Sequence, residues 1–396
     1  MITSALKTVS LLAVVLWLAA CNTTTVRTTD FTPVIQEPQT FTEDQLLDVG
    51  IGIFNPGVDD LSEEEAGVYP QVRRAEARYM PYQLMETLQM TGNWGVVRVI
   101  PNRQSEMDLW VNAEILKSDG ETLELMVKVQ DTSGKVWFTR KYSETASKYS
   151  YESQGNRRPE PFQGLYNHIA NDMLAYRKVL PANEARELRT ISELKFAESF
   201  APDVYSSHLD QDSKGHYVIK RLPAEDDPVL QRVRKIRERD YMFVDTLQEY
   251  YGSFVDQMHD PYISWRQESY FETMALRELK KKSNARLIGG ALAVLAGIAG
   301  VASDNPYAQA AGAVGIGAGA YVFKSGLDKK EEAQMHVQAL KELGDSLNSE
   351  VEPHTITLED RTVTLSGTVD DQYTQWRRIL HDIYMTETGQ LVPVSN

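Results

Sequence analysis

The stretch Leu287–Phe323 limits what this chain can fold into more than any other. Two 17-residue arms without charge, LIGGALAVLAGIAGVAS and YAQAAGAVGIGAGAYVF, flank the breaker Asp304-Asn305-Pro306. Small residues recur at every fourth position: Gly289, Ala293 and Gly297 in the first arm, Ala311, Gly315 and Gly319 in the second. On a helix that spacing makes a flat groove along one face, where a second helix approaches backbone to backbone. Gly inside a helix costs about 1 kcal/mol relative to Ala, so nine glycines between Gly289 and Gly326 demand tight packing in return. The expectation is a helical hairpin, a glycine zipper that packs on itself, on copies of itself or in lipid. Each arm spans about 25 Å, just short of a hydrocarbon core of about 30 Å. Lys280, Lys281, Lys282 and Arg286 precede the hairpin, and Lys324, Lys329 and Lys330 follow it. They fit either a solvated helix face or a cuff of cations at lipid headgroups.

The rest of the 396 residues is polar and ordinary, and its length fits two or three domains. Hydrophobic residues at 42% and charged ones at 24% describe a folded protein. A net charge of −15 argues against nucleic acid as a partner, because phosphate binding draws on clustered Lys and Arg. It also disfavours broad adsorption to anionic lipid.

The N-terminus carries an address. Lys7 supplies a short basic region, and Leu11 to Ala20 is apolar but too short to span a membrane. Cys21 is the only cysteine, so no disulfide framework exists. Leu18-Ala19-Ala20-Cys21 resembles a bacterial lipobox. The resemblance implies that residues 1–20 are a signal peptide and that Cys21 becomes an acylated first residue, palmitate included. Asn22, where Asp favours inner-membrane retention, implies the outer membrane with the body facing the periplasm. Acyl chains anchor strongly, at about 0.8 kcal/mol per buried CH₂. Residues 21–45, rich in Thr and Pro without an apolar period, are expected to be a flexible tether.

The expected fold class is α+β, beginning with a small α/β sheet domain at 46–145. Leu47, Val49, Ile51 and Ile53 alternate as in a half-buried strand. Ala75 to Met90 is helical, interrupted at Pro81. A short strand around Val97 and Val99 is followed by three longer ones through Leu109–Ile115, Leu123–Val129 and Val136/Phe138. Ser118-Asp119-Gly120 and Asp131-Thr132-Ser133-Gly134 supply their turns. The order implies one antiparallel or mixed sheet carrying a helix. The opening VGIGIF strand and the late DTSGKVWFTRKY hairpin resemble the small α/β domain of envelope proteins such as the TolB N-terminal domain and the curli secretion lipoprotein CsgG.

Helices dominate the second expected domain, 160–327. Leu165, Ile169, Met173, Tyr176 and Leu180 mark one helix, and Asn183 to Phe200 forms another. A hairpin is expected around Lys214-Gly215. Asp227 to Met258 reads as a long helix with the stripe Val244, Leu247, Tyr251, Phe254 and Met258. That stripe fits core packing better than a ligand groove. Asp260-Pro261 should stop the helix, and Tyr262 should start another that feeds the Gly/Ala arm.

Residues 328–396 form the third unit: a polar helix, strands at His354/Ile356/Leu358 and Val363/Leu365, then a helix with Tyr373, Trp376, Leu380 and Ile383 on one face. This αββα order, with VTLSGTV at 363–369, resembles a BON module, a family associated with envelope proteins and phospholipid contact. No recognisable metal, nucleophile or nucleotide motif occurs, and the seven histidines are scattered. No catalytic residue, metal or cofactor is assigned. The expected role is therefore non-enzymatic: an outer-membrane lipoprotein held through the Cys21 anchor, acting as a scaffold or accessory subunit for envelope proteins. Self-association through the hairpin, as a ring or export channel component, and a ligand or lipid carrier are the alternatives.

Overall fold

A computed structural model describes residues 24–28, 32–36, 41–58, 69–101, 106–152, 160–289, 354–357 and 362–389, with helical pieces at 338–339 and 341–342. The chain is α+β, with mixed sheets. The main sheet has six strands: β1 (Thr24–Thr28), β2 (Val49–Gly52), β3 (Val97–Ile100), β4 (Leu109–Ser118), β5 (Thr122–Asp131) and β6 (Val136–Thr145). Their spatial order is β1-β6-β5-β4-β2-β3. The centre is an antiparallel meander, β4-β5-β6, and parallel pairs extend it on both sides: β1 on β6, and β2 between β4 and β3.

The meander follows from alternation and turn chemistry. Leu109, Val111, Ala113 and Ile115 point into the core, as do Leu123, Leu125, Val127 and Val129. Asp119 closes the first turn by accepting from Glu121 N and Thr122 N at 3.1 and 2.8 Å. Asp131 closes the second, accepting from Ser133 Oγ at 2.5 Å and from Trp137 Nε1 at 3.0 Å.

Five α-helices longer than one turn are named: α1 (Pro70–Thr91), α2 (Gln163–Val179), α3 (Ala182–Phe200), α4 (Pro228–Gly289) and α5 (Val369–Glu387). A single turn of helix at Pro202–Tyr205 and the hairpin β7 (Leu209–Gln211) and β8 (Tyr217–Ile219) connect α3 to α4. The strands β9 (His354–Thr357) and β10 (Thr362–Leu365) pair antiparallel before α5.

Three expectations are corrected. The first is the tether. Thr24–Thr28 is an edge strand in parallel register with Arg140–Glu144. Residues 32–36 are fastened to α2, where Asn167 Nδ2 donates to Thr32 O at 2.7 Å and Ile35 N donates to Asn171 Oδ1 at 2.8 Å. The second is the effect of proline. Pro81 sits buried inside an unbroken α1. It has no N–H to give Ala77 O four residues back, and Phe54 N fills that acceptor from the chain after β2 at 2.9 Å. Pro261 likewise lies inside α4, which continues for 62 residues. Met258 and Tyr262, both fully buried, hold the helix on either side of it.

The third correction concerns the separateness of the units. Buried apolar residues from Leu47 in the sheet region, through Met258 in α4, to Tyr384 in α5 belong to one core cluster. The stripe Val244, Leu247, Tyr251, Phe254 and Met258 is wholly inside it. The C-terminal unit docks on α4, where Phe243 meets Trp376 with ring centroids 5.3 Å apart. Arg377 lies over Phe200 of α3 at 4.9 Å. Of the Gly/Ala hairpin only Leu287–Gly289 falls within the described residues, as the last turn of α4.

Candidate functional site

The polar chemistry of this fold is concentrated where α4 lies against the sheet and its flanking helices, at three successive levels. At the first, Arg237 Nη2 donates to Ser192 Oγ at 2.7 Å and to Glu106 O at 3.0 Å, and its Nε donates to Tyr241 OH at 2.9 Å. Beside them opens a polar cleft of about 320 Å³ whose walls include Asp48, Asp108, Arg189, Arg237 and Tyr241. Asp48 precedes β2 and Asp108 precedes β4, so the parallel pairing of these strands sets the two carboxylates side by side. Asp108 Oδ2 accepts from Asp48 N at 2.9 Å, and Asp48 Oδ1 accepts from Val96 N at 2.8 Å. Burial, and then the neighbouring Asp48 charge, push the Asp108 carboxyl up to about 6. Asp108 can therefore exchange a proton near neutral pH.

At the second level α4 covers the sheet's open edge. Among the described residues no further strand lies beside Val99 of β3, and Gln248 takes that place. Its Oε1 accepts from Val99 N and its Nε2 donates to Val99 O, each at 2.9 Å. One amide thus satisfies both backbone groups that an edge strand leaves open. Nearby, Arg98 Nε donates to Asp245 Oδ1 at 2.6 Å while its guanidinium lies 4.5 Å over the Tyr241 ring.

The third level is the most deeply buried. Glu76 of α1, with a fully buried side chain, accepts from Tyr262 OH and from Ser118 Oγ, both at 2.5 Å. Arg266 Nη1 donates to Glu160 Oε1 at 2.5 Å, with side-chain exposures of 0% and 5%. Tyr79 OH donates its single proton to Glu160 Oε2 at 3.2 Å, and its oxygen also lies 3.2 Å from His259 Nδ1. The Arg266 guanidinium sits 3.9 Å from the Tyr262 ring centre and 4.8 Å from that of Phe162. Burial works against its charge, but Glu160 and the tyrosine oxygens outweigh it and hold the group above its ordinary range. Burial raises the Tyr79 and Tyr262 phenols as well.

Next to this network, Glu144 at the end of β6 takes a hydrogen bond from Leu165 N at the uncapped start of α2. Burial is the chief cause that lifts its carboxyl to about 7; the Glu160 charge adds to it, and the Leu165 bond opposes it. The turn after β4 is pressed against α4. A Cβ on Gly120, whose φ is +74°, would stand 2.2 Å from Arg266 O. Ser269 Oγ and Thr273 Oγ1 both donate to Asp119 O, at 2.8 and 3.4 Å. Chemically, this arrangement locks a long helix onto a body and leaves two carboxyls, Asp108 and Glu144, titrating near neutrality.

No family model, no curated protein and no solved structure matches the chain.

Of the residues singled out in the sequence, Gly289 is the last residue of α4. Cys21, Ala293, Gly297, Ala311, Gly315 and Gly319 lie outside the described residues, as do Lys324, Lys329 and Lys330. Among the described residues, no three His, Cys, Asp or Glu side chains converge as a metal site, and no helix is long and apolar enough to cross a membrane. Sequence reasoning missed Glu76, Glu160, Arg266 and Gln248. A signal existed for one of them, because Met258, Tyr262, Arg266 and Tyr270 share one helix face at intervals of four. A charge on an otherwise apolar stripe requires a buried counter-charge. Its partner, 106 positions away, has no local mark.

Proposed function

We propose that this protein is a non-enzymatic envelope lipoprotein, anchored by acyl chains on Cys21 and acting as a scaffold or accessory subunit. The observation that carries the reading is Leu18-Ala19-Ala20-Cys21 behind a basic residue and a short apolar run. The fold supports it in two ways. The edge strand β1 begins three residues after Cys21, so an anchored chain holds its body close to the bilayer. A 62-residue helix, about 93 Å at 1.5 Å per residue, is fastened along much of that body. Such a part transmits position rather than chemistry. Asn22, where Asp would favour inner-membrane retention, supports an outer-membrane anchor, and the body is proposed to face the periplasm.

The test is fractionation of cells carrying Cys21→Ala beside wild type. Wild type is expected in the outer-membrane fraction and the variant in the soluble periplasmic fraction. A variant that still sediments with the outer membrane shows that acylation does not place the protein there.

A further inference from the structure

The polarity of β1 and α4 determines where the ends of the molecule point. Thr24 pairs with Arg140, Arg140 with Val127, and Val127 with Ala113. The strand β1 is parallel to β6, which runs in the same sense as β4 and β2. The helix α4 runs the same way, because Gln248 bonds to Val99, whose sheet neighbours are Ile51 and Val111, while Ser269 bonds to Asp119 just past β4. Chain direction therefore puts Gly289, at the end of α4, well ahead of Thr24, at the start of β1.

The separation follows from standard rises. From the level of Ala113 to Asp119 is about 20 Å of strand. From Ser269 to Gly289 is about 30 Å of helix. Gly289 thus lies about 50 Å ahead of Thr24 along the common direction. Cys21 is within about 10 Å of Thr24, because three residues span no more. The last described bonds that fasten α4 to the body are those of Ser269 and Thr273. Beyond them Ala275–Gly289 carries five basic residues, Arg277, Lys280, Lys281, Lys282 and Arg286, against one acidic residue, Glu278. This is a local reversal of sign in a chain of net charge −15, and two charge-free arms follow it. An apolar segment with a basic collar suits an anionic lipid surface.

We infer that the distal end of α4, Ala275–Gly289, meets an anionic lipid surface other than the bilayer that holds Cys21. The two-surface geometry rests on the acyl anchor proposed above; the lipid contact itself does not. The protein then spans a gap, with acyl chains at one end and a basic helix end at the other.

The test has two arms. In the first, the full chain with Cys21→Ser is sedimented with phosphatidylcholine vesicles with and without phosphatidylglycerol. Binding is expected only with phosphatidylglycerol, and it should weaken as salt rises. Replacing Lys280, Lys281 and Lys282 together by Glu should weaken it about 100-fold or more, at about a factor of five per surface cation. Unchanged thermal unfolding of that variant keeps the comparison interpretable, since the three positions lie beyond the bonds to Asp119. In the second arm, acylated protein in phosphatidylcholine vesicles carries a donor dye at Thr25→Cys or at Asn284→Cys, with an acceptor on the lipid. Strong transfer is expected from position 25 and little from position 284. Equal transfer from both positions overturns the proposal. So does a chain that ignores both vesicle types, and one that does so while assembling into oligomers puts packing between copies in its place. Phosphatidylglycerol binding by a chain that cells leave unacylated sustains the lipid contact and overturns the anchor.

Discussion

The pair Glu160 and Arg266 offers the sharpest test of how α4 is held. Glu160→Gln keeps the side chain's size and still offers an oxygen to Tyr79 OH or Arg266 Nη1. It strands the Arg266 charge at zero side-chain exposure. A guanidinium cannot escape by losing a proton. Breaking a buried pair from one side costs about 3–5 kcal/mol, and this substitution belongs near the upper end. Arg266→Met leaves Glu160 with its bond from Tyr79, and Met refills part of the space against Tyr262 and Phe162. Its expected cost is about 2–3 kcal/mol. The double variant removes both charges and should lose less than Glu160→Gln alone, with a coupling of about 2 kcal/mol or more. Urea unfolding of all four proteins, followed by tryptophan fluorescence, measures the cycle. Additive single effects, or a Glu160→Gln cost below about 1 kcal/mol, would refute the reasoning, because neither charge would then depend on the other.

Three further predictions test neighbouring parts. Gly120→Ala should cost about 2 kcal/mol or more, through positive φ and the collision with Arg266 O, whereas Gly215→Ala, also at positive φ but in open space, should cost about 1 kcal/mol; equal losses would deny the close approach of α4. Glu144→Gln removes a carboxyl whose folded-state value, about 7, lies above the ordinary 4.5. The native state therefore holds this proton more tightly, and wild-type stability attributable to it falls as pH rises from 4.5 through 7; the variant should gain up to about 3 kcal/mol over wild type at pH 8 and nothing at pH 4. Gln248→Leu leaves Val99 N and O without partners at the sheet edge and should cost about 2 kcal/mol. Hydrogen exchange at the Val99 amide checks it, since protection equal to wild type would mean that Gln248 does not close that edge.

Much of the sheet was legible because its determinants are local. The alternation in Leu109–Ile115 and Leu123–Val129 and the Asp-Gly and Asp-Thr-Ser-Gly turns act within a few residues, and β4, β5 and β6 follow them. The strand β1 was not legible. TTVRT has no apolar alternation, and an edge strand needs only a neighbouring backbone, here that of β6. Proline misled because it can be tolerated inside a helix: at Pro261 buried neighbours hold α4 on either side, and at Pro81 another donor reaches the freed carbonyl. That donor is Phe54 N, 23 positions from Ala77. The ion pairs and the Glu76 cluster depend on contacts between distant positions, which a single sequence does not mark. Arg266 was visible as an anomaly on a stripe, whereas Glu160 became visible only with the fold.

The central claim, that this body is held to a membrane through Cys21, is tested most directly by the intact mass of the protein isolated from cell membranes. The account predicts a chain that starts at Cys21, with residues 1–20 removed and fatty acyl chains attached to that residue. A chain that retains Met1, or begins at Cys21 with an unmodified thiol and a free amine, would contradict it.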